Sequence, residues 1–236
     1  MNYDRMIAKA GLEINAIKLR PNDPFEWASG YRMPIYNDNR MFLFHPNHRA
    51  LIAEGFRNLL ESEGISYDVI AGTSTAGISP ATTLADSLNP PAPLIYVRDK
   101  PKDHGLRNQI EGIDAESDLQ ERKVVLIEDL ISTGGSSARA VQGIRSANGN
   151  CNNCISIFNY GLDVAENIFR GKDPYDEKGH KLMYLCKVSS LLTYDTLLEV
   201  AKETKYISRT QLEMLNEWRA DPFKWGEKHG FPRVKK

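Results

Sequence analysis

The spacing of apolar positions alternates between two periods along the chain. Over 3–20, Ile7, Ala10, Ile14 and Ile17 recur at the interval of one helical face, and Pro21-Asn22-Asp23-Pro24 ends the run. Around Ser29-Gly30 the pattern changes to alternation, which predicts two short strands and a turn within 25–40. A second helix is predicted over 45–61, with Leu51, Ile52, Gly55, Phe56 and Leu59 on one face. Strand-like runs follow at 67–71, 93–98, 124–127, 154–158 and 182–186. Helical patterns lie between and after them at 80–88, 137–145, 163–169, 193–202 and 210–220. Residues 171–180 are polar, and Trp225 and Phe231 are expected to pin the tail, with 234–236 loose. Strands alternating with helices predict an α/β fold, an open and mostly parallel sheet flanked by helices. Loops 72–77, 98–112 and 128–136 would then meet above the carboxyl edge of that sheet, where such folds bind ligands.

The chemistry concentrates in Val124-Val125-Leu126-Ile127-Glu128-Asp129-Leu130-Ile131-Ser132-Thr133-Gly134-Gly135-Ser136. A buried strand, a loop of small residues and a helix start gather backbone N–H groups and a helix N-terminus around an anion. Glycine lets the backbone approach closely, Ser136 is placed to cap the helix, and Ser132 and Thr133 add hydroxyl donors. Carboxylates repel a phosphate unless they face another group. Glu128 and Asp129 therefore suit sugar hydroxyls, or Mg²⁺ held through water, so the motif reads as a sugar-phosphate site. The plainer reading is a β–α turn with exposed acids. Gly72-Thr73-Ser74-Thr75-Ala76-Gly77 repeats the strand–loop–helix plan. Arg98, Lys100, Lys102, His104 and Arg107 make a cationic stretch that calls for an anion opposite, or else is a solvated charge run.

Composition narrows the class. The 236 residues suffice for one α/β unit with additions, and 30 basic against 31 acidic residues leave no electrostatic footprint for nucleic acid or an anionic membrane. No apolar run is long enough to span a bilayer, and 1–20 has no continuous hydrophobic segment of the signal-peptide kind, so a cytoplasmic protein is expected. Three cysteines are too few for a disulfide framework. Cys151 and Cys154 have CxxC spacing but precede the 154–158 run, which favours a plain loop over a metal or redox pair. His45 and His48 read as helix-start residues, without a third ligand at metal spacing.

The thirteen-residue motif resembles the phosphoribosyl-pyrophosphate (PRPP) motif of type I phosphoribosyltransferases, and its Glu-Asp-Leu-Ile-Ser-Thr-Gly-Gly-Ser form is similar to that of the orotate phosphoribosyltransferase family. Trp27-Ala28-Ser29-Gly30, Pro34-Ile35-Tyr36 and Asp38-Asn39-Arg40 resemble that family's N-terminal hood. Arg98-Asp99-Lys100-Pro101-Lys102-Asp103-His104-Gly105, followed by Gln109-Ile110-Glu111-Gly112, resembles its catalytic loop. The resemblance runs from Trp27 to about Trp225. It implies a single type I phosphoribosyltransferase domain, with a hood of about 1–45 plus C-terminal segments and a core of about 46–190, in which 171–180 is an insertion.

It also implies transfer from PRPP to orotate, with Mg²⁺ as cofactor and no residue assigned as a protein metal ligand. Lys102, His104 and Asp129 would be catalytic. PRPP would be bound by Arg98, Lys102, His104, Glu128, Asp129, Leu130, Ile131, Ser132, Thr133, Gly134, Gly135 and Ser136. Loop 72–77 would cradle the pyrophosphate, Ser132 and Arg40 would contact orotate, and a homodimer would share the 98–112 loop across its interface, with no nucleic-acid or membrane partner. Two departures stand out. Asp99 replaces a lysine of some members, and Ala28 stands where others have lysine. A phosphoribosyltransferase for another base and a non-catalytic PRPP-sensing regulator are the alternatives.

Overall fold

The computed structural model describes residues 1–99, 109–114, 119–171 and 186–234. The elements run α1 (Tyr3–Glu13), β1 (Ile17–Leu19), β2 (Phe25–Glu26), β3 (Arg32–Met33), β4 (Ile35–Asn37), a 3-10 helix (Asn39–Phe44), α2 (Pro46–Ser62), β5 (Val69–Thr73), α3 (Ile78–Ser87), β6 (Leu94–Val97) and β7 (Ile110–Glu111). They continue with β8 (Lys123–Ile131), α4 (Gly135–Ser146), β9 (Asn150–Asn159), α5 (Asp163–Phe169), β10 (Lys187–Thr193), α6 (Tyr194–Glu203), α7 (Arg209–Ala220) and α8 (Pro222–Lys228).

Six strands form the central sheet in the order β10-β9-β8-β5-β6-β7, parallel except for the β6–β7 pair. Side chains alternate across it. Ile70, Val125, Ile127, Ile155 and Ile157 pack toward the layer containing Ile52, Phe56, Leu84 and Leu197. Val69, Ala71, Val124, Leu126 and Cys154 face Val141, Ile144, Ile168 and Phe169 of α4 and α5. Because β5 and β8 are neighbours while the chain winds outward from each in opposite directions, the sheet's switch point lies between them.

The segment expected to form the hood packs against the C-terminal part of the chain. Strands β2 and β3 pair antiparallel around Gly30, whose φ of +80° suits the turn predicted there. Val234 N donates to Gly30 O, so Val234 is held rather than loose; 235–236 lie outside the described residues. Trp225 is buried and stacks on Phe231, and Trp218 Nε1 donates to Met33 Sδ, tying α7 to the hood.

Several boundaries differ from expectation. The 3–20 helix stops at Glu13: Asn15 turns left-handed at φ +58°, and Ile17–Leu19 becomes a strand paired with β4. Strand β8 continues through both acids to Ile131, since β9 keeps pairing with it at Glu128↔Ser156 and Leu130↔Phe158. Cys151 and Cys154 sit inside β9, not in a loop before it. The strand expected at 182–186 is found at Lys187–Thr193, and 182–185 lie outside the described residues. The expected loop 98–112 contains the short strand β7, and a short helix, α8, holds Trp225.

Candidate active site

Two strand-end loops rise at the switch point. After β8, Gly134 takes φ +80° and serves as the N-cap of α4 with no side-chain cap. The N-cap residue thus offers no side-chain acceptor to the first turn of α4, an arrangement suited to an anion. Ser136 is thus not the cap, because it already lies within α4. After β5, the Ser74–Thr75 peptide is cis and Gly77 N donates to Thr73 O at 3.0 Å. A Cβ on Gly77 would run into Thr73 Oγ1 and lie 2.6 Å from Ile127 O. Only glycine lets this loop fold so closely onto β8.

Glu128 joins the two loops. It is 6% exposed. Its Oε1 accepts from Thr73 Oγ1 (2.7 Å) and from Asp129 N (3.0 Å), while Oε2 accepts from Ser137 Oγ (2.8 Å). Burial, reinforced by the neighbouring Asp129 charge, pushes its carboxyl up to about 7; the Thr73 and Ser137 hydroxyls act against this. Both oxygens already accept hydrogen bonds inside the protein. Asp129 is half-buried, and burial raises its carboxyl too, with its hydrogen bonds and Arg40 opposing. Asp129 O accepts from Asn39 Nδ2 at 2.6 Å, and Asn37 Nδ2 donates to Asn39 Oδ1 at 3.0 Å. Buried Asn39 thus moors the hood to the acidic pair.

Beside the β8 loop a cavity of about 550 Å³ is lined by Trp27, Tyr31, Tyr36, Tyr160 and Phe223, with Leu130, Ser132 and Thr133 on its floor. Trp27 and Tyr160 stack on each other at 5.7 Å and 25°, so the lining is an aromatic surface. Arg40 does not line this cavity. It shares a smaller hollow with Asn39 and Asp129, and Asp38 grips its Nε (2.7 Å) and Nη2 (2.9 Å). Ser132 and Arg40, both expected at orotate, therefore lie in different hollows. Another cavity, of about 350 Å³, is lined by Arg170 and Cys186, which flank residues outside the described set.

Leu130, Ile131, Ser132, Thr133, Gly134, Gly135 and Ser136 are brought together at the cradle. Arg98 stands at the end of β6, with its Nη1 3.4 Å from Glu111 Oε1. Lys102 and His104 lie outside the described residues. Nothing local in the sequence signals the contacts of Thr73, Ser137 and Asn39; Asn39 lies within the Asp38-Asn39-Arg40 triplet, but its partner is 90 positions away. Among the described residues no group of three or more His, Cys, Asp or Glu side chains is arranged to hold a metal. The three cysteines are buried and free. Burial raises all three thiols, Cys151 to about 12, so they are core members rather than thiolates.

Comparison with known proteins agrees with this geometry. Residues 39–173 match the family model described as phosphoribosyl transferase domain. The chain is 40% identical over 225 residues to the orotate phosphoribosyltransferase of Cytophaga hutchinsonii, covering 95% of this chain and 99% of that one. It is 42% identical over 227 residues to the one of Listeria monocytogenes, covering 96% and 100%. The crystal structure of orotate phosphoribosyltransferase from Aeropyrum pernix superposes with a TM-score of 0.64 at 26% identity, covering 86% of this chain and all of that one. With two braced loops at the switch point of a phosphoribosyltransferase sheet and relatives alike over nearly their whole length, the chain belongs to the orotate phosphoribosyltransferase family.

Proposed function

We propose that this chain transfers the 5-phosphoribosyl group from PRPP to orotate, giving orotidine 5′-monophosphate and pyrophosphate, a step of pyrimidine nucleotide biosynthesis. The observation that carries the reading is the Glu128 brace. One buried carboxylate ties the 72–77 loop to the first turn of α4, beside a cavity lined by aromatic side chains. A substrate with phosphate at each end of a ribose needs two such loops.

Backbone groups of 132–136 take the 5′-phosphate, with the Ser132 and Thr133 hydroxyls, and loop 72–77 takes the pyrophosphate. Asp129, the more accessible carboxylate, faces the ribose hydroxyls and follows the positive charge that grows at the sugar carbon as its bond to pyrophosphate breaks. Glu128 keeps the loops in register behind it. Orotate lies in the hood cavity against Ser132; its ring nitrogen is already anionic, so no strong protein base is required. Arg40 is assigned to the orotate carboxylate on charge, and it must release Asp38 to serve there.

Charge on the departing pyrophosphate is met by Arg98, and by Lys102 and His104 on the strength of the resemblance alone. Each charge-assisted contact is worth about 1.5–3 kcal/mol. Mg²⁺ would arrive on the diphosphate, where it would neutralise leaving-group charge, and the Asp129 carboxylate is the oxygen ligand that would hold it through water. For the homodimer, support comes from an exposed apolar group next to Arg40: Met41, Leu43 and Phe44, the last 87% exposed. No helix among the described residues is long and apolar enough to cross a membrane, and three free thiols suit the cytoplasm we assign.

Pyrophosphate release with PRPP, Mg²⁺ and a panel of bases tests the reading. Release is expected with orotate and not with adenine, hypoxanthine or uracil. Release with a purine but not with orotate overturns it.

A further inference from the structure

Helix α4 starts inside the β8 loop, and Arg139 stands one turn along it. Helical side chains lean toward the N-terminus, and Arg139 does so: its Nη1 lies 3.6 Å from the position a Cβ would take on Gly135. The guanidinium is therefore at the mouth of the 132–136 cradle. It is gripped there by one carboxylate oxygen, Asp99 Oδ1, at 2.7 Å from Nη2 and 3.2 Å from Nε.

Asp99 is presented to α4 by a built stem. Arg98 N donates to Gln109 O at 2.8 Å, and Gln109 Nε2 reaches the carbonyls of Arg98 (3.2 Å) and Asp99 (3.4 Å). Gln109 Oε1 in turn packs where a Cβ of Gly143 would stand, at 3.0 Å, and Gly143 is four residues from Arg139 on the same face of α4.

We propose that Arg139 binds the 5′-phosphate of the substrate, and that Asp99 holds its guanidinium until that phosphate arrives. The inference rests on the reading of 132–136 as the 5′-phosphate loop. Carboxylate and phosphate are the anions that an arginine fork pairs best, so Asp99 is a stand-in of the right chemistry. The Arg139 and Asp99 side chains are 55% and 48% exposed, and an ion pair this open contributes little to folding, so exchanging its partner costs the protein little.

Calorimetric titration of ribose 5-phosphate, which has the 5′-phosphate and no diphosphate, separates this from a structural strut. Arg139→Gln is expected to weaken binding about ten-fold, the loss of one charge-assisted contact, and to raise KM for PRPP with kcat little changed. Asp99→Asn is expected to tighten binding severalfold. The double variant should match Arg139→Gln, because Asp99 acts only through Arg139. Arg139→Lys, which keeps the charge and loses the fork, should fall between and serves if the glutamine variant does not fold. Weaker or unchanged binding in Asp99→Asn, or unchanged binding in Arg139→Gln, overturns the proposal. Opposite shifts in an enzyme that releases no pyrophosphate with orotate would leave Arg139 standing and sink the orotate reading; same-direction shifts in an active enzyme would do the reverse.

Discussion

The loops after β5 and β8 have the same plan, a parallel strand ending in small residues before a helix, yet they are built differently. The β8 loop is open: Gly134 turns left-handed and an uncapped helix start faces the ligand space. The β5 loop is closed on itself, with Gly77 folded against Thr73 and the Ile127 carbonyl. One is shaped by donors left for an anion, the other by the absence of a Cβ. Glu128 takes a hydrogen bond from a hydroxyl on each side, so the two are one device with a buried acid at its centre. Its neighbour Asp129, one residue further along the same strand, is the carboxylate we propose to face the sugar.

Gly77→Ala should break the closed loop outright. With a Cβ at 2.6–2.7 Å from backbone atoms, the strand ends must separate, at a cost of about 1–3 kcal/mol in stability and most of the turnover. Steady-state kinetics and thermal unfolding together check it; near-normal values in both would mean the close approach is dispensable.

Asp129→Asn removes charge without removing the hydrogen-bonding shape. A fall in kcat of about ten- to a hundred-fold, with unfolding unchanged, is expected if this carboxylate faces the cationic sugar. An equal loss of stability would place it with Glu128 as a structural acid.

Glu128→Gln sharpens the contrast through pH. The native carboxyl titrates near 7 and the unfolded one near 4.5, so between these values the folded state holds the extra proton. Stability therefore falls as pH rises from about 4.5 to 7 and levels off above, by up to a few kcal/mol. Urea unfolding across that range should show the slope in the parent and a flatter line in the glutamine variant; equal slopes would remove Glu128 as the source. The smallest effect belongs to Ser137→Ala, which deletes one of the brace's three donors and should cost about 1 kcal/mol by urea unfolding.

Much of the sheet was legible because buried parallel strands advertise themselves: the Val124–Ile127 run and the Ser/Thr/Gly loop behind it sit where expected. Strand length was not, since Glu128 and Asp129 look like a terminus until β9 is seen pairing alongside them. Polar contacts between distant positions escaped for the same reason. Asn39 reaching Asp129, Thr73 reaching Glu128 and Val234 closing on Gly30 depend on chain folding, not on local pattern. Ile17 satisfies helical spacing, yet pairing with Asn37 makes it part of a strand.

That the two loops act as a single PRPP cradle can be tested directly by amide hydrogen exchange with and without PRPP and Mg²⁺. Protection should rise together in 72–78 and 132–138, and Glu128→Ala should uncouple the two segments. Protection confined to one of them in the parent enzyme would contradict the account.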